Sequence, residues 1–357
     1  MKKITFVTQF PPPIHGLSKA VDTLYRSRLK NVFHFEAIDI TRNKAIFSTL
    51  WKLISGSTDA YYFTISQTKM GLWRDIALMG LMEWKRKPLI IHLHGGYLRK
   101  LLDEECGSFE RKLAYKAIGK ASRCIVLGNS LKPIFQGIVP DEKIMIVPNC
   151  ADDEYMMQEV TAKMKELTNA SQLNVLYLSN LIATKGYREV LECARLLKER
   201  GQDEKFVFHF AGKFFDASEQ AYFESFVEKH QLKDRIVYHG IVSGQAKTEL
   251  LEQCHIFMLL TRYPNEGQPI SILEAMGNGM AVITTDHAGI PEIASHDNGF
   301  ACSKLSIDVN EIYGYLMDCY EHREKLADVC MHNYREVKAK YTERQYIDNM
   351  DEIFSAI

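Results

Sequence analysis

Residues 255–289 read HIFMLLTRYPNEGQPISILEAMGNGMAVITTDHAG: an apolar run, a loop, a short helical segment and a second apolar run. Pro264, Gly267 and Pro269 mark the loop, and Gly277 and Gly279 end the segment ISILEAM. Two apolar strands joined by a helix are typical of a parallel sheet that is covered on both faces. This pattern therefore predicts one β-α-β unit of an α/β fold.

The same alternation continues along the whole chain. Apolar runs predict further strands that start near residues 3, 33, 60, 88, 123 and 143 in the first half and near 173, 205, 235 and 299 in the second. Amphipathic segments, for example 71–87 and 100–119, predict helices. Two such series predict two doubly wound parallel-sheet (Rossmann-like) domains, at 1–165 and 166–339, that face a cleft. A last helix at about 340–357 has no strand after it, so it can pack back on the first domain.

Composition places the chain among soluble globular proteins, with 46% hydrophobic and 25% charged residues over 357 positions. No apolar run approaches the roughly 18 residues of a membrane span, and MKKITFVTQF predicts a first strand, not a signal peptide. The eight cysteines form no CxxC pair, which indicates reduced thiols in a cytoplasmic protein.

The charge is unevenly distributed between the two halves of the chain. Residues 1–170 carry 25 Lys and Arg against 17 Asp and Glu, and the remainder carries 19 against 28. This asymmetry suggests different partners for the two halves, although chance variation explains it equally well.

The segment Pro264–Met280 is the first candidate binding site, since ligands of parallel sheets lie beyond the carboxyl ends of the strands. Pro269 suits the first turn of a helix, whose free N–H groups attract phosphate. Gly267 lets the backbone approach a ligand, and Glu266 and Glu274 can accept hydrogen bonds from hydroxyl groups. A nucleotide sugar fits this combination, and a capped helix with a solvated Glu274 is an equally good alternative.

Several other candidate residues follow strands. Lys185 precedes Gly186 and a helix, where it can neutralise a phosphate, although a surface lysine is the more common case. Gly16 opens another helix near the same predicted site. Further positions directly after strands are Asn180, Gly212 and Gly240. The chain contains neither a G-x-G-x-x-G turn nor a P-loop, which argues against a nicotinamide or Walker-type site.

His92 and His94 lie two apart in the strand PLIIHLHGG and therefore share one face. A metal site needs further ligands, and no clustered His, Asp or Cys set supplies them, so we predict no metal. His94 precedes two glycines and should open to the site, where it can hydrogen-bond a sugar or an attacking hydroxyl. His92 is expected to pack inside the fold.

Together these residues resemble the family 4 retaining glycosyltransferases, which have the two-domain GT-B fold. Glu266 and Glu274 match the E-x7-E motif of that family, and AMGNGMAVITTDHAGIPEI continues it. NLIATKG resembles its diphosphate-binding loop, VPNC its VPN turn and HGL its glycine-rich first loop. The resemblance covers nearly the whole chain and is strongest over 174–300.

The resemblance implies a role for each motif residue. Glu266 would hold the donor sugar, Glu274 the ribose and Lys185 the diphosphate, while His94 matches an acceptor-side histidine near the reacting carbon. The implied catalytic residues are therefore His94, Glu266 and Lys185. The implied donor-binding residues are Gly16, Asn180, Lys185, Gly212, Gly240, Glu266, Gly267, Gln268, Pro269, Ile270 and Glu274.

Two positions depart from the family pattern. Asn180 stands where the diphosphate loop usually carries an arginine, so the charge on the leaving group would rest more on Lys185. His15 stands where the first loop usually has a glycine, which affects how closely this loop can approach a phosphate. The family uses no general base, and retention is attributed to front-face attack, in which the leaving phosphate accepts the proton of the acceptor. No metal and no cofactor are implied, since the protein supplies positioning and electrostatic stabilisation.

The acceptor is inferred from the basic half. In KMGLWRDIALMGLMEWKRKP, Trp73, Ala77, Gly80 and Trp84 share one helical face that ends in the cations 85–87. Such a face suits a membrane interface, and a core-packing helix is a slightly better supported alternative. We expect a UDP- or GDP-sugar donor and a glycan or lipid-diphosphate-linked acceptor in polysaccharide synthesis, in a cytoplasmic protein with an optional peripheral contact on the inner face of the membrane.

Two other functions remain open. A nucleotide-sugar 2-epimerase has the same fold and binds a similar donor, but it would convert the donor sugar without any acceptor. A non-enzymatic nucleotide-sugar binding protein would neither transfer nor hydrolyse the donor. We expect no nucleic-acid partner, because the basic residues lack interleaved aromatics in a groove-sized array.

Overall fold

The computed structural model describes residues 1–13, 15–41 and 46–357, and these form two compact units. The first unit comprises Met1–Cys150, Pro264–Gln268 and Glu343–Ile357, and the second comprises Ala151–Tyr263 and Pro269–Thr342. The main segment of the first unit thus ends at Cys150, the last residue of VPNC. The short segment Pro264–Gln268, which contains Glu266, belongs to the first unit although both of its neighbours belong to the second.

Each unit is built on one parallel sheet. In the described part of the first unit, six strands follow the order β2-β1-β3-β4-β5-β6. They are β1 (Lys3–Thr8), β2 (His34–Asp39), β3 (Ala60–Thr64), β4 (Leu89–His92), β5 (Arg123–Val126) and β6 (Ile144–Ile146). The second unit has the order β12-β11-β10-β7-β8-β9. Its strands are β7 (Leu173–Leu178), β8 (Phe206–Ala211), β9 (Ile236–Gly240), β10 (Ile256–Leu259), β11 (Ala281–Thr285) and β12 (Gly299–Cys302).

The strand predictions are confirmed in both units, and burial explains why the sequence signal was clear. Every residue of the inner strands β3, β4, β10 and β11 is buried, as expected for parallel strands with helices on both faces. The edge strands β2 and β9 are largely exposed. Near-continuous apolar runs therefore mark the centre of each sheet.

Helices connect the strands. They are α1 (Gly16–Arg26), α2 (Ile46–Ser55), α3 (Lys69–Trp84), α4 (Leu98–Lys100), α5 (Ser108–Ile118), α6 (Thr161–Asn169), α7 (Tyr187–Glu199), α8 (Ala217–Lys229), α9 (Gly244–Gln253), α10 (Ile270–Gly277), α11 (Val309–Glu321), α12 (Arg323–Lys340) and α13 (Glu343–Ser355). α13 belongs to the first unit. There the ring of Phe354 lies 6.1 Å from Phe6 and 6.0 Å from Tyr62, centroid to centroid, and Tyr346 is buried in the same core.

The single helix predicted over 100–119 is wrong, because the chain breaks there. A π-helical turn at Leu101–Glu105 follows α4, and α5 starts only at Ser108. The break lies at Gly107, whose backbone N–H donates to the Glu110 carboxylate over 2.8 Å. This contact caps the new helix and supplies a partner for an N–H that would otherwise be unpaired.

The aromatic face of α3 points to solvent. Trp73, Ala77, Gly80 and Trp84 are all exposed, whereas Leu72, Leu78, Met79 and Met82 form the buried face. The core-packing alternative for the aromatic face is therefore wrong. Among the described residues, none of the helices combines the length and the apolar character that a membrane crossing requires.

Candidate functional site

In the first unit, the segment Pro264–Gln268 lies against the end of β4. A β-carbon at Gly267 would be 2.4 Å from the carbonyl oxygen of His94 and 2.9 Å from Cδ1 of Leu127. A β-carbon at Gly95 would be 2.6 Å from the carbonyl oxygen of Asn265. Only glycine permits such approaches, so the two glycine positions hold Glu266 close to the loop that follows β4.

Asn149 holds the same segment from the end of the first sheet. Its side-chain amide donates to the carbonyl of Gln268 over 2.9 Å, and its backbone N–H donates to Oε1 of Gln268 over 3.1 Å. Both residues are buried, and buried hydrogen bonds of this kind are costly to lose. The VPN turn therefore fixes the loop that carries Glu266.

His94 stacks on His92 with a centroid distance of 4.0 Å. Burial lowers the pKa of His94 to about 4, against a smaller opposing effect of the Asn149 side chain. Both of its ring nitrogens are buried, and neither makes a well-formed hydrogen bond with the described residues. A neutral imidazole ring has one donor and one acceptor nitrogen, so it can form a hydrogen bond with a ligand.

His92 is fully buried, and its Nδ1 is 2.8 Å from the Tyr62 hydroxyl. Its predicted place inside the fold is confirmed. Burial lowers the pKa of His92 well below its usual value, and the neighbouring His94 adds to the effect.

Gly16 is the first residue of α1, and His15 is the N-cap that precedes it. Nδ1 of His15 accepts a hydrogen bond from the Ser18 backbone N–H over 3.3 Å, and the Ser18 hydroxyl accepts one from the His15 N–H over 3.0 Å. The histidine in the usual glycine position therefore serves as a helix cap. Among the described residues, no heavy atom other than those of its chain neighbours and its own helix backbone lies within 4 Å of a β-carbon at Gly16.

In the second unit, three predicted residues lie at the carboxyl ends of strands: Asn180 and Gly212 follow β7 and β8, and Gly240 is the last residue of β9. The backbone N–H of Gly212 donates to the carbonyl of Gly240 over 2.8 Å. The carbonyl of Asn180 accepts a hydrogen bond from the Tyr177 hydroxyl over 3.0 Å, and its side chain is exposed. The three positions therefore lie at the carboxyl ends of three neighbouring parallel strands.

Lys185 ends a short turn before α7 and lies over the ring of Tyr263, 5.1 Å from its centroid. Gly186 has φ +81°, and a β-carbon there would be 2.2 Å from the carbonyl oxygen of Leu260. The Arg262 N–H donates to the Thr184 carbonyl over 2.8 Å. These contacts join the Lys185 loop to the loop after β10.

His287, which follows β11, supports the same loop. Its Nε2 is 2.7 Å from the carbonyl oxygen of Tyr263, and its Nδ1 is 3.4 Å from Nζ of Lys304. The carbonyl can only accept, so Nε2 carries the proton. This histidine lies within AVITTDHAG, and no sequence pattern predicts its role, because none shows that the carbonyl of Tyr263 lies beside it.

Glu274 lies on the second turn of α10 and is buried beside Lys247, with Nζ 2.7 Å from Oε1. α10 starts at Ile270, so Pro269 is the N-cap and not, as predicted, part of the first turn. The solvated alternative for Glu274 is wrong. Lys247 was missed by the sequence analysis, since it lies on α9 in a segment without a motif.

The structure therefore divides the predicted site residues between two groups. The first unit holds Gly16, His94, Glu266, Gly267 and Gln268, and the second holds Asn180, Lys185, Gly212, Gly240, Pro269, Ile270 and Glu274. Across the described residues, no group of three or more His, Cys, Asp or Glu side chains is arranged to bind a metal ion.

Gly267→Ala is expected to lower the free energy of unfolding by about 1–2 kcal/mol, because its methyl group would overlap the carbonyl of His94. Urea denaturation followed by circular dichroism measures the change. Gly16→Ala is the matched control, since its methyl group would meet no atom of the described residues within 4 Å beyond its chain neighbours and its own helix backbone. Equal urea midpoints for the two variants would contradict the close approach of Gly267 to the carbonyl of His94.

Comparison with known proteins adds a second line of evidence. Residues 160–329 match the family model described as glycosyl transferases group 1. The matched segment contains Lys185, Glu266 and Glu274 and does not include the first sheet.

Two relatives are named for polysaccharide synthesis. The putative colanic acid biosynthesis glycosyltransferase WcaL of Escherichia coli is 27% identical over 132 residues, which are 36% of this chain and 31% of that protein. AmsK, an amylovoran biosynthesis glycosyltransferase of Erwinia amylovora, is 27% identical over 129 residues, 35% of this chain and 30% of its own. The chain thus spans about a third of the length of these two relatives. A 2-deoxystreptamine N-acetyl-D-glucosaminyltransferase of Niallia circulans is 19% identical over 86% of this chain and 79% of that protein.

Solved structures confirm the fold. HepE of Anabaena in complex with UDP superposes with a TM-score of 0.77 at 18% identity and covers 99% of this chain and 100% of that chain. The same protein in complex with UDP-glucose gives 0.76 at 17% identity, with 100% of each chain covered. The predicted α/β fold of GT-B type, with two doubly wound parallel sheets, is therefore confirmed.

Proposed function

We propose that this protein is a retaining, metal-independent glycosyltransferase that moves a sugar from a UDP- or GDP-sugar to a glycan or lipid-linked glycan. The observation that carries the proposal is the buried Glu274 on α10, eight positions after the buried Glu266, within the segment that matches the group 1 family model. A buried carboxylate is costly to keep. The spacing of these two glutamates matches the E-x7-E motif, which supports a ligand with hydroxyl groups.

A nucleoside diphosphate is the donor group that suits these residues. The N–H groups at the start of α10 favour an anion, and Lys185 adds a positive charge at the neighbouring loop. Glu274 would accept hydrogen bonds from the ribose, and Glu266 from the sugar. The named complexes of HepE with UDP and UDP-glucose support this class of donor.

In the proposed reaction, the acceptor hydroxyl attacks the anomeric carbon on the face from which the diphosphate leaves. The bond between that carbon and the phosphate oxygen breaks as the new glycosidic bond forms, and the proton passes to the leaving phosphate. Lys185 and the N–H groups of α10 stabilise the departing negative charge. His94 hydrogen-bonds the sugar or the attacking hydroxyl.

A panel of UDP- and GDP-sugars tests the proposal. We expect at least one of them to raise the melting temperature by mass action and to be hydrolysed slowly when no acceptor is present. With acceptor, proton NMR should show a product that keeps the anomeric configuration of the donor, and EDTA should leave the rate unchanged. Release of an epimerised donor would establish the epimerase alternative, and binding without turnover under both conditions would favour a binding protein.

The acceptor is proposed to be a cell-surface glycan or its lipid-linked precursor. The names of the colanic acid and amylovoran relatives support this class.

The exposed face of α3 supports a peripheral membrane contact, because Trp84 is 68% exposed and is followed by Lys85, Arg86 and Lys87. Trp51 on α2 is 70% exposed, and Nζ of Lys85 donates to the carbonyl of Ile54 on the same helix over 2.7 Å. Exposed tryptophans beside cations are typical of an interfacial surface.

Binding to anionic vesicles is expected to fall with rising salt, because screening weakens attraction between the basic surface and anionic lipid. Reversing the charge of Lys85, Arg86 and Lys87 together should weaken co-sedimentation further, by about tenfold or more, since each cation contributes about 1 kcal/mol near such a surface. The matched control reverses the exposed Lys165, Lys229 and Lys233 of the second unit. Equal, weak sedimentation with neutral and anionic vesicles would favour an acceptor free in solution.

A further inference from the structure

Glu274 has a cationic partner from another helix. Nζ of Lys247 on α9 is 2.7 Å from Oε1 of Glu274, and the two side chains are only 16% and 5% exposed. An ion pair with both partners this well buried is costly to form. One member of this pair, Glu274, is a proposed donor-binding residue, so the pair is a candidate for a role in donor binding.

Tyr155 orders the ammonium group of Lys247. The Lys247 Nζ lies 4.0 Å from the ring centroid of Tyr155, which is a close cation–π contact. The Tyr155 hydroxyl accepts a hydrogen bond from the Gly244 N–H at the start of α9, over 3.2 Å. The lysine thus lies between an aromatic face and a carboxylate, and its helix is tied to that aromatic residue.

Asn278 ties the same tyrosine to the helix that carries Glu274. Its side-chain amide donates to the carbonyl of Tyr155 over 2.7 Å and to the carbonyl of Glu274 over 2.8 Å. Tyr155, Lys247, Glu274 and Asn278 therefore form one connected group within the second unit. A displacement of Lys247 would affect the carboxylate directly.

We propose that Lys247 is a positioning residue that holds the Glu274 carboxylate in the geometry needed to recognise the ribose hydroxyls of the donor. The inference rests on the proposed function and deepens it, because it names the chemical group that the pair selects. Without the ammonium, the buried carboxylate would rotate toward water or take up a proton. Either change removes the acceptor that a ribose hydroxyl needs.

The test compares the affinity for a nucleoside diphosphate with that for its 2′,3′-dideoxy analogue. Calorimetric titrations use UDP and GDP with their dideoxy forms. In the wild-type protein we expect the ribose form of the nucleotide that binds to be favoured by about tenfold or more, as for hydrogen bonds to a charged group. Glu274→Gln should reduce this preference to about twofold to threefold, and Lys247→Met should reduce it to the same extent. Lys247→Arg should retain most of it.

Matched variants separate positioning from general damage. Gln245→Met places the same side chain at an exposed position of α9 and should keep the full ribose preference. The double variant Lys247→Met with Glu274→Gln should be no worse than either single variant, because the two residues act together. Melting curves confirm that each variant is folded, and Lys247→Arg keeps the test informative if Lys247→Met does not fold.

The outcomes distinguish the two proposals. If the preference for the ribose form over the dideoxy form is lost in Glu274→Gln but kept in Lys247→Met, the inference about Lys247 is overturned and the proposed function stands. Failure of the wild-type protein to bind UDP or GDP would overturn the proposed function, and the role of Lys247 with it. A ribose preference that survives in Lys247→Arg and disappears in Lys247→Met supports the inference.

Discussion

Replacement of His94 by alanine is expected to lower sugar transfer about a hundredfold or more while nucleoside diphosphate affinity stays within a few fold. The ring lies at the end of the first sheet, beside the loop that holds Glu266, and both ring nitrogens are buried. Residues proposed to hold the nucleotide, Lys185 and Glu274, belong to the second unit. A side chain that acts mainly at the reacting carbon reduces turnover more than binding.

A donor titration paired with a transfer assay measures the effect. His92→Ala is the control, because it removes the neighbouring ring. It should lower the stability of the fold, since the His92 side chain is fully buried and pairs with Tyr62. Transfer at the wild-type rate by His94→Ala would contradict the assignment of the acceptor side of the site.

The lowered pKa values of the two histidines also make the free energy of unfolding depend on pH. Both prefer the neutral form in the folded protein, His94 with a pKa of about 4, whereas an unfolded histidine titrates near 6.5. The unfolded chain therefore binds more protons below pH 6.5, and the free energy of unfolding should fall as the pH drops from 6.5 toward 4. Transfer should show no ionisation of His94 between about pH 6 and 8.

Lys185→Ala is expected to lower turnover by about a hundredfold to a thousandfold, in the range found when a transition-state donor is removed. Asn180→Ala should cost about tenfold less, because a neutral amide contributes less to a departing diphosphate than an ammonium does. The Lys185 ammonium rests 5.1 Å from the centroid of the Tyr263 ring, at the end of a turn that Gly186 closes with φ +81°. It is thus held at the loop after β7 before any donor binds.

Steady-state kinetics on the two alanine variants and on Lys185→Arg measure the contribution of the charge. The arginine variant should retain a substantial part of the turnover, and Asn180→Arg, which restores the usual family residue, should not lower it. An equal loss in Lys185→Ala and Asn180→Ala would refute the argument that Lys185 carries most of the side-chain charge.

The sheets were predictable because burial on both faces leaves a strong local signal. β10, which is buried at every residue, appears in the sequence as an unbroken apolar run, and β4 appears as an apolar run that ends in the buried His92. The loop after β10 was predictable for another reason, since glycine and proline have few uses other than turns and close approaches. Gly267 does meet the carbonyl of His94.

Features that depend on distant partners were not predictable. Lys247 pairs with Glu274 across 27 positions of sequence, and nothing in the segment around either residue indicates the other. The break of the 100–119 helix depends on one backbone contact, from Gly107 to Glu110, which outweighs the helical pattern. The aromatic face of α3 had the composition of a core, and only its packing shows that the opposite face is buried.

The assignment of Pro264–Gln268 to the first unit has a consequence for how such proteins can be recombined. A chimera that takes all of the second half from a relative would bring a foreign version of this loop against His94, Leu127 and Asn149. The exchangeable modules are therefore not the two continuous halves of the chain. A working hybrid must inherit the five loop residues, together with α13, from the same parent as the first sheet, so crossovers between parents are constrained at four places along the gene.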